Sequence, residues 1–122
     1  MKNTGMEKKG YKNLEAWKKA DALAKAVYKK TPDFPKDEIY GITSQLRRAA
    51  LSVPVNIVEG IGRQSRKELK QFANIALGSL AETEYLLEFC KGIGYLGEED
   101  FLELELLRQE TGKLLWGFYK GL

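Results

Sequence analysis

Between Tyr40 and Arg63 the chain reads YGITSQLRRAALSVPVNIVEGIGR, and its polar and apolar residues sort onto separate helical faces despite an internal proline. At an advance of about 100° per residue, Ile39, Ile42, Leu46, Ala49, Ala50, Val53 and Ile57 share one side, the expected core face. Gln45, Arg48, Ser52, Asn56, Glu59 and Arg63 fall in a separate sector about 80° wide, a narrow mixed-charge stripe. Leu51 and Val55 lie between the two faces, so this helix has a second apolar surface to cover, and another copy of the chain is one candidate for covering it. Pro54 removes the hydrogen bond to the Ala50 carbonyl, at about 3 kcal/mol in an ordinary helix interior. Because both faces stay in phase across Pro54, the spacing predicts a kink there, with Ser52 helping to satisfy the disturbed backbone. Gly60 and Gly62 then provide the stop.

Upstream, residues 1–12 have no apolar periodicity and read as a loose tail, and residues 13–122 as the folded unit. Asn13 is the expected N-cap of a first helix running to about Lys30, with Ala16, Trp17, Ala20, Leu23, Ala24, Val27 and Tyr28 on one face. Thr31 precedes Pro32, and Pro35 follows, so a stiff corner is expected before a second helix starting near Lys36. Ser65 to Glu68, SRKE, has the spacing of a capping box and opens a third helix that runs to about Lys91. Leu69, Phe72, Ala73, Ala76, Leu80, Leu86, Leu87 and Cys90 form its apolar face, interrupted by Ser79 and Thr83 and edged by Glu82. After Gly92 and Gly94, a fourth helix runs from near Glu98 toward Tyr119, with Phe101, Leu104, Leu107, Leu114, Leu115 and Phe118 inward and Leu102, Leu106 and Trp116 outward. No strand alternation or hairpin signal is present, so the expected fold is all-α, an antiparallel up-down-up-down four-helix bundle.

A chain of 122 residues suits one domain. It has no apolar run of membrane-spanning length and no apolar signal segment, so a cytoplasmic protein is expected. The single cysteine, Cys90, makes no internal disulfide and reads as a small buried hydrophobe. With no histidine, the usual metal-ligand sets and histidine-based dyads are excluded, and Glu59, Glu82 and Glu84 lack the Glu-x-x-His pairs of a ferritin-like site. No metal, no cofactor and no enzymatic activity are expected. Met1 to Lys70 carries 16 Lys and Arg against 8 Asp and Glu, and Gln71 to Leu122 carries 4 against 9. Such asymmetry fits either an anionic partner or the pairing of helices and subunits.

The segments EAWKKADALAKAVYKKTPDFPKDEIYG, QLRRAALSVPVNIVEGIGR and KELKQFANIALGSLAETEYLL, the last followed by IGYL, resemble a bacterial four-helix-bundle family first noticed as products of intervening sequences within 23S ribosomal RNA genes. The match spans about Leu14 to Leu115. The family is similar in turn to the accessory variability determinant of diversity-generating retroelements, a basic homopentameric bundle that works with a reverse transcriptase and its RNA. The resemblance implies a four-helix bundle, a homopentamer and no enzymatic activity.

Three sets of candidate residues follow. Leu51, Val55, Leu102, Leu106 and Trp116 are the surplus apolar residues that head-to-tail contacts between copies require. Arg48, Ser52, Asn56, Glu59, Ser79 and Glu82 are the candidate structural polar network, with Arg48 expected to pair with Glu82 or Glu59, inside the bundle or across a subunit boundary. The bland alternative has the helix 3 hydroxyls bonding their own helix carbonyls and Glu82 reaching water. Arg47, Arg63, Arg66, Lys67 and Lys70, with Lys18, Lys25 and Lys29 of the first helix, are the candidate contacts to RNA or DNA, without base specificity because no base-reading motif is present. The competing reading is a scaffold for a protein partner, such as a reverse transcriptase or another nucleic-acid enzyme, with the lysines serving solubility.

Overall fold

A computed structural model describes residues 10–122. Of the expected tail, residues 1–9 lie outside the described residues, and Gly10–Asn13 form a 3-10 turn. The Tyr11 ring of that turn meets Trp17 edge-on at 4.7 Å. Four α-helices follow: α1 (Glu15–Lys30), α2 (Ile42–Ile61), α3 (Arg66–Gly92) and α4 (Glu98–Lys120). Each packs against two neighbours in the cyclic order α1, α2, α3, α4, while α1 and α3, and likewise α2 and α4, stand on diagonals without contact. The antiparallel four-helix bundle predicted from periodicity is the observed fold. Leu23, Leu46, Ile57, Leu87, Leu104 and Leu115 fill its axis.

Element boundaries depart from the sequence reading in three places. Leu14, not Asn13, occupies the N-cap of α1; its hydrocarbon side chain has no acceptor and gives no cap, and its own N–H is taken up by the Tyr11 carbonyl of the preceding 3-10 turn at 2.9 Å. The second helix does not start at Lys36. Lys36–Glu38 is a separate 3-10 turn, α2 begins only after Gly41, and Ile39 is 44% exposed rather than in the core. The Glu38 carboxylate explains the break, since it turns back to accept from the Ile42 N–H at 3.4 Å and from the Tyr95 hydroxyl at 2.9 Å. At the other end, Gly60 is not a stop. It lies inside α2, fully packed, and Gly62 is the C-cap. A Cβ on Gly60 would sit 2.8 Å from Phe72 Cβ and 3.0 Å from Leu69 Cδ1, so this glycine is what lets α2 and α3 close on each other.

Several other expectations hold. α2 continues unbroken through Pro54. Ser65 caps α3 by accepting from the Glu68 N–H at 2.9 Å. Thr31 ends α1, its hydroxyl donating to the Val27 carbonyl at 2.9 Å. On α4, Thr111 takes an inward position and donates to the Leu107 carbonyl at 2.7 Å, while Leu114, expected inward, is 37% exposed. Cys90 is fully buried as expected, and burial pushes its thiol up to about 11, with the Glu38 charge adding to the effect.

Two outcomes follow. Gly60→Ala destabilises the bundle by about 1–3 kcal/mol through overpacking, against the helix-propensity gain, whereas Gly78→Ala, whose Cβ meets nothing within 4 Å, stabilises it by about 0.5–1 kcal/mol. Chemical denaturation of the two variants checks this, and a stabilising Gly60→Ala contradicts the close approach. For Cys90, a raised folded-state pKa means stability is fully present below the ordinary 9.0 and lost as pH rises through about 11. Melting curves across that window should fall less steeply for Cys90→Ala, and thiol reagents at neutral pH should label the native chain far more slowly than the unfolded one.

Candidate nucleic-acid interface

The antiparallel wiring decides where each charge goes. One end of the bundle gathers the start of α1, the α2–α3 corner and the finish of α4; the other gathers the α1–α2 and α3–α4 connections. With each helix divided at its middle, the α2–α3 end carries nine Lys and Arg against five Asp and Glu, and the opposite end eight against eleven, among the described residues. The imbalance between chain halves thus becomes an imbalance along the bundle axis. The helix macrodipoles alternate in direction and largely cancel, so this polarity comes from side chains.

Of the eight predicted phosphate contacts, the fold brings four together. Arg63, Arg66, Lys67 and Lys70 stand within two turns of the α2–α3 corner. Arg66 and Lys67 are exposed and carry no ion pair among the described residues. Arg63 reaches Glu59 at 3.3 Å and lies over the Phe72 ring at 4.7 Å. Lys70 lies over Tyr119 at 5.0 Å, and Tyr119 stacks on Trp116, over which Lys120 sits at 5.7 Å. Cations and aromatic faces therefore meet at this end, and Lys120 was not singled out in the sequence.

Of the other four, Lys18 is at the same end of the bundle but on α1, and the rest lie in the opposite half. Arg47 is at the far end, its Nε donating to Thr31 Oγ1 at 2.9 Å and its guanidinium over Tyr28 at 5.0 Å, so it ties α2 to the end of α1. Lys29, near the end of α1, is exposed. Lys25 pairs with Asp21 at 2.8 Å, and Lys18 pairs with Glu15 at 3.0 Å.

The polar network is found in part. Ser52 Oγ and Ser79 Oγ are 2.8 Å apart across the α2–α3 seam, and Asn56 Nδ2 donates to Ser52 Oγ at 2.9 Å and to the Ser52 carbonyl at 2.8 Å. Ser52 is thus engaged across the seam rather than at the carbonyl freed by Pro54. Thr83 donates to the Ser79 carbonyl at 2.8 Å, the local bond expected of a helical hydroxyl. Arg48 and Glu82 are exposed, both line the open α2–α3 groove, and no ion pair joins Arg48 to Glu82 or Glu59 within the chain. The enclosed ion cluster is instead on α3–α4, where Arg108 pairs with Glu105 and reaches Glu84 at 3.3 Å. The hydrogen bonds that the Arg108 guanidinium donates to the Glu105 carboxylate hold it above its ordinary range. Its sequence signal was the three-residue spacing of Glu105 and Arg108 on one helix. Glu59, Glu82 and Glu84 have thereby separate surroundings, and no group of three or more potential metal ligands occurs among the described residues.

Leu51, Val55, Leu102, Leu106 and Trp116 are all exposed, between 43% and 57%. Leu51 and Val55 border a groove against α1 with Tyr11, Trp17 and Pro54. Tyr40, Ile75, Tyr85 and Phe89 are further exposed apolar residues that periodicity did not single out. Among the described residues, no helix is long and apolar enough to cross a membrane.

Comparison with known proteins adds the following. No curated protein matches the sequence. A solved structure, described as a protein of unknown function from the S23 ribosomal protein family of Bacteroides thetaiotaomicron, is similar with a TM-score of 0.79 and 26% identity, covering 86% of this chain and 95% of that one. The profile of the family described as 23S rRNA-intervening sequence protein matches residues 12–117, which takes in α1 to α3 and all but the last turn of α4. With its bundle, its capped α3 and its α2–α3 seam all inside that match, the chain belongs to the 23S rRNA-intervening sequence protein family.

Proposed function

We propose that this protein is a non-enzymatic homo-oligomer, a pentamer by its resemblance, that binds structured RNA or DNA through the basic end of the bundle without reading bases. The observation that carries this reading is the cluster of Arg63, Arg66, Lys67 and Lys70 at the α2–α3 corner, with Arg66 and Lys67 exposed and in no ion pair among the described residues. One copy offers a small cluster of modest affinity. A ring of copies with parallel axes places one such cluster per subunit around a single rim, and simultaneous engagement multiplies the affinity for a polyanion. Exposed Trp116 adds an aromatic stacking surface beside the phosphate contacts.

A second reading, a scaffold for a protein such as a reverse transcriptase or another nucleic-acid enzyme, is favoured by the groove of about 590 Å³ between α2 and α3, bordered by exposed Tyr40 and Phe89. It has neither the clustered charge nor the axial polarity to support it.

The test is a salt titration of binding to a structured RNA hairpin and to duplex DNA. Affinity should fall with salt at a logarithmic slope of roughly −0.9 per phosphate neutralised, and Arg66→Glu with Lys67→Glu should weaken binding by more than about tenfold and flatten the slope. Binding that is absent at low salt, or indifferent to salt, contradicts the proposal. A protein partner retained after nuclease treatment and lost on substitution of Tyr40 and Phe89 would favour the scaffold.

A further inference from the structure

α2 and α4 occupy opposite corners of the bundle, run in the same direction, and each turns an apolar strip away from the core. The strip on α2 is Leu51 and Val55, 43% and 45% exposed; that on α4 is Leu102 and Leu106, 55% and 57% exposed. Their spacing is identical. Arg48, Leu51 and Val55 stand at i, i+3 and i+7, as do Glu99, Leu102 and Leu106, the alternation that places side chains on the seam of two parallel helices. The residue heading each strip is charged, with opposite sign. Neither Arg48 nor Glu99 takes part in an ion pair within the chain, among the described residues.

The strips also lie at the same height. Arg47 of α2 bonds Thr31 at the end of α1, and the adjacent Lys30 reaches Asp100 at 3.2 Å and Glu103 at 3.1 Å on α4. Arg48 and Glu99 are therefore level with the same turn of α1, to within about one helical turn of 5.4 Å.

We propose that α2 of one copy packs in parallel against α4 of the next, with Leu51 layered on Leu102, Val55 on Leu106 and Arg48 beside Glu99. The partner is a second copy of this chain, because the two strips match each other in spacing, direction, height and charge. The inference rests on the self-association in the proposed function and specifies its contact. Since the strips occupy different corners, each copy gives one and receives one, a head-to-tail contact of the kind that builds a ring when the rotation from copy to copy closes. It also assigns a partner to Arg48: the Glu99 carboxylate of a neighbouring copy, in place of the Glu82 or Glu59 expected from sequence.

Charge reversal tests the pairing. Arg48→Glu and Glu99→Arg should each raise the dissociation constant of the assembly by about tenfold or more, and the two reversals combined should restore assembly, as measured by sedimentation. Both positions are exposed, so helical content by circular dichroism should stay unchanged. In a Cys90→Ala background, Leu51→Cys with Leu102→Cys should give a covalent ladder of chains on oxidation, while either substitution alone gives none. A wild-type chain that sediments as a 13.8 kDa monomer at every concentration overturns self-association and this contact together. An assembly that ignores both reversals and yields no ladder overturns the α2–α4 contact alone.

Discussion

The close seam between α2 and α3 governs how the rest of the bundle is arranged. It is lined by small residues: Gly60 against Leu69 and Phe72, and the Ser52 and Ser79 hydroxyls bonded across it at 2.8 Å. Small side chains let two helix backbones approach, which brings many weak contacts into range at once. A seam so narrow cannot also enclose a long cation, so Arg48 is displaced to its rim beside Glu82. The same approach holds the α2–α3 corner tight and concentrates Arg63, Arg66, Lys67 and Lys70 in the short span that turns the chain around.

The wider spaces between helices are filled differently. Between α1 and α4 the contacts are long-armed, with Lys19 reaching Glu110 at 2.9 Å and Lys30 reaching Asp100 and Glu103. These pairs are half-exposed and add little stability individually, but they fix which helices are neighbours and at what height. Between α3 and α4, Arg108 is held by Glu105 and Glu84, with only 16% of its side chain exposed. A buried charge of this kind tolerates few alternative registers, which makes it a device for specificity as much as for stability.

Charge polarity along the axis links fold to function. Antiparallel wiring stacks the lysine-rich start of α1, the basic corner and the finish of α4 at one end, and leaves Asp33, Asp37, Glu38, Glu98, Glu99 and Asp100 at the other. A molecule polarised in this way orients itself toward an anionic surface before any contact forms. In an assembly of copies with parallel axes the polarity adds up. The family resemblance therefore meets a physical feature of this chain: the end that would face a nucleic acid is the end where cations outnumber acids among the described residues.

The number of helices, their core stripes, the Ser65 cap, the burial of Cys90 and the passage of α2 through Pro54 were all legible in the sequence, because periodicity and local capping are properties of neighbours along the chain. The apolar strips of α2 and α4 were legible for the same reason, as residues out of phase with the core. Other features belong to tertiary structure. Gly60 reads as a helix stop until Phe72 and Leu69 are seen pressed against it. Ile39 reads as core until Glu38, bonded to Tyr95 fifty-seven residues away, breaks the helix before it. Eight cations looked equivalent as charges, yet Arg47 is spent on Thr31 and Tyr28 while Arg66 and Lys67 carry no ion pair among the described residues, since whether a charge is committed depends on what the fold brings within reach of it.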